Sequence, residues 1–249
     1  MVLAAFTFSS CHSQDVKFVD LEKISKDFDA SGFYNNKVKK TNEIISTDPK
    51  SMDKKEALKL LKNAFFVKDT LGYYKSEGRF GTDLYLESTN DWMVRKQKPT
   101  EIFGFGYRTV AWDPDKDTLA ILNKVSFPKM NMVEDKKGNL MSLEVEKTSK
   151  NIGDFDKIKA YMLKNCKQVA NEDDDQNTSH WESESFYYYL RKKERQEEEI
   201  QSYDSLGNKK TQLVNVIDIT LSMYEKSFVK KMEDLQIYSA ATQFWKKPY

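Results

Sequence analysis

Apolar and polar positions alternate most regularly near the C-terminal end of the chain. Leu213, Ile217, Ile219, Leu221 and Met223 share one parity, while Asp218, Thr220 and Ser222 take the other. A period of two marks a half-buried strand, with one face on a core and one towards water. Just before it lies Asp204-Ser205-Leu206-Gly207-Asn208, whose Gly-Asn pair can supply the positive φ of a tight reversal. The strand is therefore expected to fold back on Ile200 and Tyr203, and Trp181 to Lys231 reads as one long hairpin. Two patterns compete in its first arm, Phe186 to Gln201. Arg191 to Glu199 is rich in helix formers, with Lys193/Glu197 and Arg195/Glu199 spaced i,i+4. Phe186-Tyr187-Tyr188-Tyr189 is strand chemistry, and the turn after Tyr203 asks for a strand on both sides. A strand is the expectation.

Elsewhere the period changes to that of a helix twice. Asp53 and Glu56 form a capping box, followed by Ala57, Leu58, Leu61, Ala64 and Phe65 on one stripe, so a helix is predicted from Lys54 to about Phe66. Gly153-Asp154 opens a second, with Phe155, Ile158, Met162, Cys166 and Val169 on its apolar side. Strand candidates follow each helix. Gly81 to Asn90, Thr100 to Trp112 and Thr118 to Phe127 come first, the last two joined by the turn Asp113-Pro114-Asp115-Lys116-Asp117. Met130 to Val133 and Leu140 to Val145 are joined through Lys136-Lys137-Gly138-Asn139. The expected fold class is α+β: two helix-plus-antiparallel-sheet halves with long β-hairpins, covering 51–150 and 151–249. Residues 12–50 read as a tether and first element, in which Val16, Phe18, Leu21, Ile24 and Phe28 form an apolar pattern that Ser31-Gly32 ends.

The first eleven residues have a different character. Val2 to Phe8 is apolar or small throughout, Ser9-Ser10-Cys11 follows, and the chain then turns polar at His12-Ser13-Gln14-Asp15. This resembles the end of a bacterial lipoprotein signal peptide, although no Lys or Arg precedes the run. The resemblance covers these residues alone. It implies lipidation of Cys11 and a protein held at the cell envelope, on the periplasmic or outer-membrane face. The alternative is a buried strand, Ala4 to Ser10, with a core cysteine. The run is about half of the ~20 residues that a membrane span needs.

Composition narrows the classes of function. The 40 basic and 39 acidic residues leave a formal charge of +1, so no overall field draws the chain to nucleic acid. Aromatics interleaved with basic residues, at Tyr187 to Arg195 and Phe244 to Lys247, are read as sheet packing and a charged rim. Cys166 is read as a core residue, and no disulfide is expected.

Chemistry-bearing motifs are sparse. Gly104-Phe105-Gly106 lacks the third glycine and the helix of a dinucleotide site, so these are read as strand glycines that admit a close neighbour. Asp173, Asp175, Asn177 and Glu184 match positions one, three, five and twelve of an EF-hand loop. Thr178 stands where that loop needs Gly and His180 where an apolar residue is usual, so no metal site is expected there. Asp113 to Asp117 repeats the early acidic spacing but has Lys124 at the closing position. Neither Gly-x-Ser-x-Gly nor His-Glu-x-x-His occurs, and His180 is the one histidine beyond the leader. No cofactor is expected, and no residue set in the sequence declares a reaction. The leading expectation is a non-enzymatic binding or scaffolding module with a protein partner. The alternatives are a periplasmic hydrolase using paired carboxylates, with or without calcium, and a neutralising partner of a secreted toxin.

Overall fold

The structure, a computed structural model, describes residues 17–46, 53, 64–78, 81–92, 94, 96–170, 175–203 and 207–238. Most of these strands join one ten-stranded sheet. In chain order its members are β2 (Phe65–Gly78), β3 (Gly81–Ser88), β4 (Glu101–Ala111), β7 (Lys129–Asp135), β8 (Leu140–Ser149), β9 (Lys167–Val169), β10 (Thr178–Glu182), β11 (Phe186–Tyr203), β12 (Lys209–Glu225) and β13 (Ile237–Tyr238). Across the sheet the order is β13-β3-β2-β4-β7-β8-β12-β11-β10-β9. Neighbours are antiparallel except β13 and β3, which run parallel. A small sheet of β1 (Val19–Asp20), β5 (Ala120–Leu122) and β6 (Val125–Phe127) lies apart. The α+β class holds, and β8 pairing with β12 makes the strands of both halves continuous.

One face of the large sheet is covered. Helix α1 (Ala30–Ser46) contributes Ala30, Phe33 and Tyr34, and helix α2 (Gly153–Asn165) contributes Phe155, Ile158 and Met162. The small sheet adds Leu122, Val125 and Phe127, and these pack on Tyr107, Met132, Val145, Leu190 and the Ile217 to Met223 stripe. The predicted parity of β12 is correct here: Ile217, Ile219, Leu221 and Met223 are all buried. Leu213 is not. It is 60% exposed, because β12 outruns β8 beyond Ile217 and the hairpin continues as a two-stranded arm.

Several expectations need correction. Helix α1 begins where an ending was predicted. Asp29 accepts hydrogen bonds from Gly32 N–H and Ser31 Oγ, an N-cap that turns the chain into the helix before Ser31-Gly32. Of the helix predicted for Lys54 to Phe66, residues 54–63 lie outside the described residues, and Phe65 and Phe66 already belong to β2. Thr118 to Phe127 is not one strand. Asn123 and Lys124 take φ of 45° and 66°, and β5 and β6 form a tight hairpin around them. Helix α2 stops at Asn165, and Lys167–Val169 extends to pair with β10. Phe186–Tyr203 is a strand throughout, paired with β12 from Phe186 to Tyr203. Gly207 has φ of 82°, the positive value its turn required.

The second face is only partly covered. Glu225 ends β12 and caps helix α3 (Lys226–Asp234) by accepting the Phe228 N–H at 2.8 Å. The helix lays Phe228, Val229 and Met232 on Tyr73, Phe103, Met141 and Tyr224, and β13 then joins β3 at the sheet edge. Among the described residues, no helix covers the rest of this face. Among the described residues no helix is long and apolar enough to cross a membrane.

Candidate functional site

The open part of the second face holds a groove of about 620 Å³. Its floor exists because of a missing side chain. Gly106 lies opposite Asp69 on β2 and Val133 on β7, and a residue without Cβ there leaves Leu71, Val133 and Tyr224 to line a hollow. Leu71, Val133 and Tyr224 also belong to the cluster under α3, so one end of the groove is apolar and backed by a helix.

Polar groups occupy the other end, and each is held. Asp69, 3% exposed, accepts Arg108 Nε at 2.9 Å and Nη2 at 2.7 Å on Oδ2, and Asn90 Nδ2 at 3.1 Å on Oδ1. Burial of the carboxylate is offset by these charge-assisted bonds. Asn131 accepts the Thr109 N–H through Oδ1 and donates through Nδ2 to Glu144 at 3.4 Å. Ser222 Oγ donates to the other Glu144 oxygen at 3.2 Å. Burial, with Glu146 close by, pushes the Glu144 carboxyl above the ordinary carboxylate range in spite of those two bonds. Tyr224 is likewise raised by burial and by Glu144, so its phenol keeps its proton.

Two indoles flank this polar end. Trp92, in the turn after β3, lines the groove and is 75% exposed. Trp112 follows β4 and is 39% exposed, with Lys129 Nζ 5.0 Å from its ring centre and bonded to Glu146 at 2.6 Å. Beyond it a smaller hollow of about 320 Å³ lies over Thr148, Asp218 and Thr220.

The residues singled out in the sequence fall elsewhere. Cys11 and Asp173 lie outside the described residues. Asp175 and Asn177 sit in the turn before β10, where the Asp175 carboxylate accepts the Asn177 N–H, whereas Glu184 lies beyond the other end of β10. The structure does not bring them together. Asp113 to Asp117 is a turn closed by Asp113 N–H donating to Asp117 and by a Lys116 to Asp113 bridge. Gly104 is a strand glycine as expected: a Cβ there would strike the Glu134 carbonyl of β7. His180 is buried with its ring 5.0 Å from Tyr189, and Cys166 packs against the main core, its thiol pushed up by burial and so less thiolate-like. Among the described residues no three or more His, Cys, Asp or Glu side chains are placed to hold a metal ion.

The groove residues were not legible beforehand. Asp69, Arg108, Asn131 and Glu144 come from four strands, and nothing but strand order makes them neighbours. The nearest signal was Asp218, Thr220 and Ser222 on the polar parity of β12, which marks this face as wet. Comparison of the chain with family models, with curated proteins and with solved structures finds no match.

Proposed function

We propose that the chain is a cell-envelope lipoprotein, anchored through Cys11, that acts as a non-enzymatic binding module and takes its ligand in the groove of the second sheet face. The observation that supports this most is the groove itself. One side of the sheet is closed by a complete core, while the other keeps an open hollow of about 620 Å³ with an apolar end and a fixed polar end. Such concave sites bind small or extended ligands. The Ser9-Ser10-Cys11 junction supports the anchor.

A hydrolase with two carboxylates has less support. Asp69 and Glu144 share the groove but stand on β2 and β8, with β4 and β7 between, so their backbones are at least about 14 Å apart at ~4.8 Å per strand. Each carboxylate is tied to its own partners, Arg108 and Asn90 or Asn131 and Ser222, whereas a glycosidase pair converges to within roughly 5–9.5 Å.

The test has two arms. Cys11→Ser is expected to move the folded protein from the membrane fraction to the soluble one, and retention in the membrane contradicts the anchor. Gly106→Phe plants a ring beside Leu71, whose atoms lie 3.5 Å from the position a Cβ would take. Native mass spectrometry on protein recovered from envelope extract should find a ligand on the wild type and lose it in this variant. An equally loaded variant of unchanged melting temperature would rule out the groove as the binding site.

A further inference from the structure

The polar groups beside the groove form a line. Asn131 pairs with Glu144, Glu144 with Ser222, and Ser222 with Tyr189, so these four side chains stand at one level of β7, β8, β12 and β11. Arg108 follows Tyr107, which pairs with Met132, and so extends the line onto β4 beside Asn131. Four strand spacings cover about 19 Å. Along one flank run Leu71, Val133 and Tyr224, and on the other stands Trp112, four residues and about 13 Å along β4 from Arg108. Trp92 lines the groove at the end where Asn90 and Arg108 hold Asp69.

Charge decides which ligand fits. Along the line itself Arg108 is committed to Asp69 and Lys129 to Glu146, so a polyanion lying there meets Glu144 and Glu146; Arg191 and Lys193, the next cations on this face, stand beyond the line, over the second hollow. A point cation would satisfy Glu144 and leave the remaining line unused. An alkyl chain would strip water from Arg108, Asn131 and Glu144 without replacing its hydrogen bonds, an unfavourable exchange. What the groove offers is the remaining hydrogen-bond capacity of Arg108, Asn131 and Glu144 along its floor, with exposed indoles at its flanks. Hydroxyl groups donate and accept equally, and the C–H faces of pyranose rings pack on aromatic faces.

We propose that the ligand is a neutral glycan, laid across the strands from Trp92 past Arg108, Asn131 and Glu144 towards Ser222, with Trp92 and Trp112 as stacking platforms. This rests on the binding reading above. From Asp69 on β2, at the Trp92 end, to Ser222 on β12 is four strand spacings, about 19 Å, the length of roughly four linked hexopyranose rings.

The experiment is isothermal titration of the full chain with neutral oligosaccharides of increasing length, covering α- and β-linked glucose, mannose, galactose and N-acetylglucosamine. A polyuronate and an alkyl amine serve as the charged comparators. Affinity for one neutral series should climb with length and level off near four rings. Trp92→Ala, Trp112→Ala and Asn131→Ala should each weaken binding about three- to tenfold, the size of one stacking or hydrogen-bonding contact. Ile200→Ala, out on the hairpin arm, should change nothing. The three variants are read only alongside an unchanged circular dichroism spectrum and melting temperature; should one unfold, Trp112→Phe and Asn131→Ser replace it. The glycan assignment is overturned if only the polyuronate or the amine binds, if no neutral series binds, or if binding ignores both tryptophans. Envelope material retained by wild type and lost in Gly106→Phe, with no glycan bound, would refute the glycan and leave the binding module standing. Failure of both sinks both.

Discussion

Tyr107 donates its hydroxyl to the buried Glu134 carboxylate at 2.7 Å, inside the main core. The second Glu134 oxygen accepts Ser31 N–H at 3.2 Å, in the first turn of α1. One carboxylate thus ties β4 and β7 to the N-terminus of the covering helix, where a negative charge is favourable. Burial, reinforced by Glu134, raises the Tyr107 phenol far above its ordinary range, so it remains a donor. Tyr107→Phe leaves the carboxylate short of a partner and should cost about 1–3 kcal/mol. Tyr34→Phe removes a bond to the neutral Met130 carbonyl and should cost about 0.5–1.5 kcal/mol. Urea denaturation of the two variants measures the order, and a larger loss for Tyr34→Phe would contradict this account of α1.

The two faces of β12 give a second comparison. Leu221 is 1% exposed in the main core, while Thr220 lies on the open face between Glu146 and Arg191 in register. Leu221→Asp should cost several kcal/mol, comparable with the whole stability of a domain, whereas Thr220→Asp should stay within about 1 kcal/mol. Equal destabilisation of both would mean the register is wrong.

Those same residues explain what could be read from sequence. The parity of β12 was legible because one side faces a core and the other water, so side-chain chemistry records the geometry. Strand β2 was not. Its Phe65 and Phe66 continue the apolar stripe of the helix predicted just before them, and a helical stripe and the start of a strand look alike over two residues. Helix α1 was missed because few of its residues are apolar: Thr41, a polar residue, is buried and accepts the Phe66 N–H. The groove was invisible for another reason. Arg108, Asn131, Glu144 and Ser222 meet only through the order β4-β7-β8-β12, which long-range pairing sets and local pattern does not.

Glu144 gives a pH-dependent prediction. Its carboxyl is held above the ordinary value of 4.5, chiefly by burial and then by Glu146. Ionising it therefore costs the native state more than the unfolded one. The sign follows: stability falls as pH rises from about 4.5 through the raised native value, because the native state binds the extra proton in that window. Glu144→Gln removes the cost and keeps an acceptor and a donor for Asn131 and Ser222. Its melting temperature should exceed that of wild type at pH 7, with the gap narrowing below about pH 4.5. A constant difference from pH 4 to pH 8 would show that Glu144 does not titrate in this way.

Calcium supplies the last prediction, since the acidic loop before β10 has the spacing of a calcium loop and a geometry that opposes it. The Asp175 carboxylate is occupied locally, accepting the Asn177 N–H at 2.7 Å, while Asp175 N–H donates to the Thr178 carbonyl. Strand β10 starts at Thr178, where the sharp turn of a calcium loop would need glycine, and runs extended to Glu182. Five extended residues span about 17 Å, far more than the 2.3–2.6 Å at which oxygens must meet around one ion. Bringing Glu184 back to Asp175 would require breaking the pairing of Thr178 through Glu182 with β11. Millimolar calcium should therefore leave the melting temperature where magnesium leaves it, and Glu184→Gln should not alter the comparison. A calcium-specific rise that Glu184→Gln abolishes would mean that β10 unpairs to form a site, because a ligand that binds only one state stabilises that state.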